Sequence, residues 1–309
     1  MSIVRVAAAV IVRGDGCVLL AQRPAGKPYE GYWEFPGGKL EPGETSAHAL
    51  ARELFEELGI VVTRAAPWLL QEFVYPHAHV RLHFFRVFSW TGEVHGRDGQ
   101  AFAWQRPGAF DVAPLLPANT RVLAALLLPP YYGISCATQI GELDFLARAG
   151  AAFERGLKLV QLREKGWPRE RLAAFAPALR ELAHRHGARV LLNGDADDAR
   201  RLGLDGVHWT SARLMQARDR PSDLLVGASC HDAAELSQAG GIGCDFAVLG
   251  PVNATASHPQ AAPLGWPRFA ELVEGTRLPV YALGGLGAAD LDAAVDHGAH
   301  GVAMLRAAW

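Results

Sequence analysis

Apolar residues fall in short blocks along this chain, and their rhythm changes once. In the first part, residues 4–12 and 17–22 are apolar runs either side of Arg13-Gly14-Asp15-Gly16, a pattern that predicts two strands joined in a hairpin. Residues 61–63, 68–75, 80–90 and 103–105 read as further strands, the 80–90 segment alternating and rich in aromatics. Helical spacing covers 45–58, with Glu44-Thr45 at its start and Gly59 past its end, and again 119–127. Mixed strands around one central helix imply an α+β sandwich over residues 1–128.

At Pro129-Pro130 the helical pattern must stop. Beyond it, apolar runs recur at 131–135, 157–162, 190–192, 206–209, 224–228, 246–252, 279–283 and 301–305. Amphipathic stretches such as 168–186 and 288–298 lie between them. Eight strands with helical crossovers predict a (β/α)8 barrel over residues 131–309, so the chain as a whole is α/β in class. The last run ends close to Trp309, which leaves the eighth helix of the barrel missing. The helix before the prolines, or a second subunit in a homo-oligomer, is expected to cover that gap.

Composition narrows the function. With 309 residues, half of them hydrophobic, two cores are easily filled. A net charge of −2, mixed along the chain, argues against an extended nucleic-acid or membrane surface, but not against a small charged ligand. The apolar stretch between Arg5 and Arg13 is too short for a signal peptide or a membrane span. The four cysteines (Cys17, Cys136, Cys230, Cys244) form no C-x-x-C pair and read as free thiols of a reducing cytoplasm.

Residues 38–60, GKLEPGETSAHALARELFEELGI, carry the strongest chemical signal. They fit the spacing G-x5-E-x7-R-E-U-x-E-E-x-G-U, U being a bulky aliphatic, through Gly38, Glu44, Arg52, Glu53, Leu54, Glu56, Glu57, Gly59 and Ile60. On a helix Glu53, Glu56 and Glu57 share one face. Three mutually repelling carboxylates need a cation, and hard oxygen donors suit Mg²⁺ or Mn²⁺. The glycines of Phe35-Pro36-Gly37-Gly38 allow a backbone carbonyl to join them.

This segment is the signature of the Nudix hydrolases, and residues 3–128 resemble the MutT type, which hydrolyses oxidised purine nucleoside triphosphates. The resemblance implies that the Gly38 carbonyl, Glu56 and Glu57 hold metal, with Glu53 as base or further ligand. It also implies that Arg52 steadies the glutamates by pairing with Glu56, and that Glu44 orients Arg52. Attack on the β-phosphorus would then convert 8-oxo-dGTP to 8-oxo-dGMP and pyrophosphate. The family's distant acidic ligand maps to Asp98, shorter than the usual Glu, with a plain surface loop as the alternative. Arg23, Phe35 and Asn119 match the positions that embrace the oxidised base. Phe offers apolar contact and Asn a donor and an acceptor, although Asn119 alone also reads as a helix N-cap. His77, His79 and His83 lie at even offsets, but no neighbouring carboxylate or Cys in sequence completes a zinc site.

The second half resembles thiamine phosphate synthase and its relative TenI. The phrases that carry this are Gln161-Leu162-Arg163-Glu164-Lys165, Gly206-Val207-His208, Gly227-Ala228-Ser229-Cys230-His231, Gly250-Pro251-Val252 and Gly284-Gly285-Leu286. All fall at strand ends, where barrel sites form. The resemblance makes Gln161, Arg163, Lys165, Asn193, His208, Ser229, Gly284 and Gly285 a phosphate or ligand site, with amides at 284–286 cradling phosphate at a helix start. The departures are specific. Asn193 is followed by Gly194 rather than the synthase's metal-binding Asp, and Asp195 comes one step too late. Residues 209–213 lack the second acid, residues 253–258 replace the T-x-T-K loop, and Pro251 stands where TenI has a His. Neither activity carries over; His231 or His258 would be substitutes as acid or base. Two further readings stay open: hydrolysis of thiamine-pathway diphosphates, and a ligand-sensing module.

Overall fold

The computed structural model describes residues 3–96, 99–255 and 262–309. Two compact units emerge, residues 1–127 and 128–309.

In the first unit, β1 (Ile3–Ile11), β2 (Val18–Gln22), β3 (Trp33–Glu34) and β4 (Gly37–Lys39) precede α1 (Ser46–Leu58). Then come β5 (Val61–Tyr75), β6 (Ala78–Thr91), β7 (Phe102–Gln105), a 3-10 turn (Pro117–Asn119) and α2 (Thr120–Ala125). Strands form a mixed sheet β4-β1-β6-β5 and a smaller sheet β3-β2-β7. The expected hairpin survives only at its turn, where Val12 bridges Val18 and the Arg13 amide donates to the Cys17 carbonyl; among the described residues β1 itself ladders with β6 in parallel and with β4 antiparallel, not with β2. The Gly-Asp-Gly turn carries the chain from one sheet to the other. Residues 61–75 are one strand, not two, because the ladder shifts register around Pro67, which has no N–H to donate, and resumes. The helix expected at 119–127 is shorter, its start being a 3-10 turn opened by Pro117.

The alternation of β1 decides the layering. Ala7, Ala9 and Ile11 pack with Ala49, Leu50, Leu54 and Leu58 of α1 on one face. Ala8 and Val10 pack with Phe35, Tyr75, Phe84, Ala118 and Val122 on the other. The alanines let α1 lie close to the sheet centre.

The second unit begins with β8 (Tyr131–Ile134), α3 (Ala137–Ile140) and α4 (Glu142–Glu154). It continues β9 (Leu159–Leu162), α5 (Arg169–Arg185), β10 (Arg189–Asn193), α6 (Ala196–Arg201), β11 (Gly206–Trp209), α7 (Ser211–Gln216), β12 (Leu225–Cys230) and α8 (Ala233–Gly241). Then β13 (Phe246–Leu249), α9 (Gly265–Val273), β14 (Val280–Leu283), a 3-10 turn (Ala288–Asp290), α10 (Leu291–Asp296) and β15 (Gly301–Met304) close the set. All eight strands pair in parallel as a closed barrel. Tyr132, Leu159, Leu191, Phe246, Val248, Tyr281 and Ala303 fill its interior. After β15 the described residues form a single 3-10 turn, Arg306–Ala308, and no α-helix. There Trp309 donates from Nε1 to the Ile134 carbonyl at 2.8 Å and packs edge-on against Phe145 at 4.7 Å. Gly133 leaves room for this indole, since a Cβ would lie 3.0 Å from it.

Candidate functional site

Helix α1 starts where Thr45 accepts a hydrogen bond from the His48 amide at 3.2 Å. It ends at Gly59, whose φ of 70° and N–H to the Phe55 carbonyl make a left-handed C-terminal cap. Its apolar stripe is fixed in the core; on the other side Glu53 and Glu57 meet β4 at Gly38 and at the Gly37 amide, while Glu56 is exposed.

There Arg52 stands at the hub. It donates to Glu44 at 2.9 and 3.1 Å, to Glu53 at 3.0 Å, to Glu56 at 3.2 Å and to the Lys39 carbonyl at 3.0 Å. Hydrogen bonding to Arg52, with the Glu41 amide second, holds Glu44 below its usual pKa. Glu57 differs. Burial pushes it up to about 7, opposed by the Gly37 N–H at 3.2 Å and reinforced by the charges of Glu53 and Glu34. Gly38 lets the Glu53 carboxyl rest on its α-carbon; a Cβ would fall 2.0 Å from Glu53 Cδ and displace that carboxyl.

These carboxylates and the glycine turn suit a hard divalent cation in chemistry and in the cradle at Gly38. Among the described residues no three His, Cys, Asp or Glu side chains are gathered into a ready cage, because the Arg52 guanidinium sits between Glu53 and Glu56. Asp98 lies outside the described residues.

The expected base-contacting residues are placed unevenly. Asn119 is 2% exposed, with an Nδ2 that finds no partner; it occupies the N-cap position of α2 but makes no cap bond. Phe35 is a core side chain, edge-on to Phe84 at 5.9 Å. Arg23 is committed within the protein, to Glu34 at 2.5 Å and the Pro28 carbonyl at 2.8 Å. Sequence reasoning passed over Glu34, although it adjoins Phe35. Burial raises its pKa against the pull of Arg23, and its charge reaches both Glu57 and Tyr75. Lys27, also passed over, acts on both carboxyls: it lowers Glu34 after the larger pull of Arg23, and it lowers Glu57. Of the histidines, His77 stacks on Tyr75 and His79 comes within 3.9 Å of Glu72. His83 is half-buried and its pKa is lowered, by burial and then by Arg5 and Arg81.

At the barrel mouth, three of the expected residues form one chain of hydrogen bonds through Tyr132. Gln161 Nε2 donates to the Tyr132 hydroxyl at 3.2 Å, Tyr132 meets His208 Nδ1 at 3.1 Å, and His208 Nε2 meets Ser229 Oγ at 2.9 Å. Asn193 is in register with His208 across the β10–β11 pair. Burial, with Arg163 second, lowers His208 to about 3, so its imidazole is neutral. Burial also lowers Arg163, whose guanidinium has no ion pair or hydrogen bond among the described residues. Lys165 is exposed. Glu164, not singled out beforehand, is fully used in bonding Ser135, Ala137 and Thr138 and so fixes the β8–α3 turn.

The glycines expected to cradle phosphate do precede a helix start, though a short one. Gly284 and Gly285 have φ of 116° and 63°, but they lead into a three-residue 3-10 turn and then the short α10, too little helix for a strong dipole. Asp195 pairs with Arg213 at 3.4 Å. His231 pairs with Glu235 at 3.0 Å, and His258 lies outside the described residues.

An α/β unit with a carboxylate-bearing helix and a closed parallel barrel define two classes of protein in one chain. Residues 3–126 match the model described as NUDIX domain and residues 131–308 the model described as Thiamine monophosphate synthase. The chain belongs to both families: a Nudix domain, a hydrolase of phosphoanhydrides, joined to a thiamine monophosphate synthase-like barrel. An 8-oxo-dGTP diphosphatase of Haemophilus influenzae is 40% identical over 125 residues, 40% of this chain and 92% of that protein. A CTP pyrophosphohydrolase of Escherichia coli is 40% identical over 133 residues, covering 41% and 93%. A protein of Geobacter sulfurreducens described as a putative thiamine-phosphate synthase is 38% identical over 180 residues, covering 57% and 84%.

Proposed function

We propose that the first domain is a divalent-metal-dependent nucleoside triphosphate diphosphatase, that 8-oxo-dGTP is its preferred substrate, and that the products are 8-oxo-dGMP and pyrophosphate. The observation that carries this reading is the acidic face of α1 against Gly37-Gly38, with the unsatisfied amide of Asn119 in the same unit.

A bound Mg²⁺ or Mn²⁺, held by Glu53, Glu56, Glu57 and the Gly38 carbonyl, supplies charge neutralisation and polarisation of the phosphoanhydride. The rest falls to the chain. Glu53 takes the proton of the attacking water. Arg52 restricts Glu53 and Glu56 through its two ion pairs with them, with Glu44 anchoring its other edge. Glu57 is the carboxylate that gains most from an added positive charge, because burial disfavours its ionised form. Asn119 offers a donor to a purine edge. Asp98 is assigned as an additional ligand.

The relatives favour a second nucleotide reading, cytidine triphosphate, since the Escherichia coli protein is as similar as the Haemophilus one. Comparing kcat/KM for 8-oxo-dGTP, dGTP, CTP and thiamine diphosphate on the purified chain decides between them. Preference for the oxidised nucleotide over dGTP by at least about tenfold supports the assignment; a smaller ratio overturns it.

For the barrel we propose ligand binding without the synthase reaction. Gly194 and Arg213 stand in the regions where the synthase places acids, so displacement of pyrophosphate lacks its carboxylates. Arg163 and Ser229 are the groups available to a phosphorylated ligand.

A further inference from the structure

The hydroxyl of Tyr75 is a buried polar group that the diphosphatase assignment leaves unused. Tyr75 is the last residue of β5 and packs into the core cluster that also holds Phe35, Leu116 and Ala118. It is 6% exposed, and among the described residues its oxygen has no partner at full hydrogen-bond geometry; the Ala118 amide is the donor turned toward it, and nothing accepts its O–H. A phenol in such a place costs stability that a phenylalanine of the same shape avoids. The chain therefore carries a group that packing does not require.

Its surroundings indicate the use. The backbone amide of Ala118 faces the phenol, and the next residue is Asn119, whose buried Nδ2 has no hydrogen-bond partner among the described residues. Glu34 acts electrostatically on Tyr75 and on Glu57 alike, so one residue links this corner to the acidic face of α1. Aromatic rings frame the phenol: Phe73 at 4.5 Å, Tyr29 at 5.1 Å and His77 stacked at 5.4 Å. Tyr29 is held there at a φ of 62°, the one positive value of a non-glycine among the described residues. Such strain persists only where the surroundings enforce it. Here the bonds of Arg23 to the Pro28 carbonyl and of the Gly31 amide to the Arg23 carbonyl tie the loop down.

We propose that the Tyr75 hydroxyl is a specificity-determining contact that, together with Asn119, hydrogen-bonds the polar edge of the nucleobase inside this aromatic frame. The assignment rests on the nucleotide reading of the first domain. Asn119 supplies a donor, while the phenol both donates and accepts, so the pair suits a base edge carrying adjacent donor and acceptor atoms. A base without that edge leaves both groups buried and unpaired, which is how a hydrogen-bonding pocket rejects an analogue.

The test is Tyr75→Phe in the full chain, with steady-state kinetics on 8-oxo-dGTP, dGTP and CTP, calorimetric binding of 8-oxo-dGMP, and thermal melting. For the nucleotide the wild type prefers, KM is expected to rise about tenfold with kcat within about twofold. Binding of 8-oxo-dGMP weakens by a similar factor, and Tm stays level or rises because an unsatisfied hydroxyl has gone. A purely structural hydroxyl gives the opposite, a lowered Tm with unchanged KM and binding, and overturns the proposal. A wild-type chain that turns over none of the three nucleotides overturns the nucleotide reading itself, and this contact with it; turnover by the wild type with unaltered KM in Tyr75→Phe removes only the contact.

Discussion

The acidic face of α1 and the mouth of the barrel are both polar clusters at the ends of buried elements, yet they are balanced in opposite ways. On α1, three carboxylates surround one guanidinium, and a fourth, Glu57, lies outside that cluster and is raised to about 7 by burial and by its neighbours. That site has excess negative charge and gains from a cation. In the barrel, Gln161, Tyr132, His208 and Ser229 satisfy one another in a neutral chain, and the cation Arg163 is desolvated without an ion pair among the described residues. That site gains from an anion. A polar cluster reveals its ligand by the charge it leaves uncompensated, more than by the residue types it contains.

The largest effect expected from this contrast is on catalysis. Glu53→Gln keeps the shape and removes the proton acceptor, and a fall in kcat of about 10²–10⁴ is expected in a steady-state assay. Retention of full activity breaks the assignment of Glu53. Next comes the charge balance at Glu57. Its folded pKa of about 7 lies above the ordinary glutamate value of 4.5, so the folded state holds the proton more tightly than the unfolded one. Stability from this group is complete below 4.5 and is lost as pH rises through 7, by roughly 3 kcal/mol. A divalent ion offsets that loss, so the Tm gain on adding Mg²⁺ is expected to be larger at pH 8 than at pH 5, and to shrink in Glu57→Gln. Equal gains at both pH values contradict it.

The barrel is expected to respond separately. His208→Leu strands the hydroxyls of Tyr132 and Ser229, and a stability loss of about 2 kcal/mol is expected in denaturant titration of the whole chain. Diphosphatase kinetics stay within about twofold; a collapse of activity would show that the two sites are not independent. Smallest is Asp195→Ala. Its exposed pair with Arg213 contributes under about 0.5 kcal/mol, so neither Tm nor barrel ligand binding is expected to change.

The barrel was legible because parallel strands buried on both faces read as plain apolar runs, and all eight appear where those runs lie. The acidic helix was legible because spacing alone puts Glu53, Glu56 and Glu57 on one face. What escaped depends on partners remote in sequence. Nothing local says that residues 3–11 pair with residues 79–87 rather than with 18–22. Arg23 looked available, yet Glu34 and the Pro28 carbonyl take its donors. The polarity of the barrel mouth was hidden because Tyr132, which joins Gln161 to His208, reads as an ordinary core aromatic. Tyr75 was hidden for the same reason: the apolar run at 68–75 reads as core strand and does not announce that its phenol lacks a partner.

The central claim is that the glutamates of α1 recruit a divalent ion. The direct measurement is a Mn²⁺ titration followed by electron paramagnetic resonance, on the wild-type chain and on the Glu53→Gln and Glu57→Gln variants. Binding by the wild type, weakened about tenfold or more in each variant, is the expected result. Mn²⁺ affinity indifferent to both substitutions, or no bound Mn²⁺ at all, contradicts it.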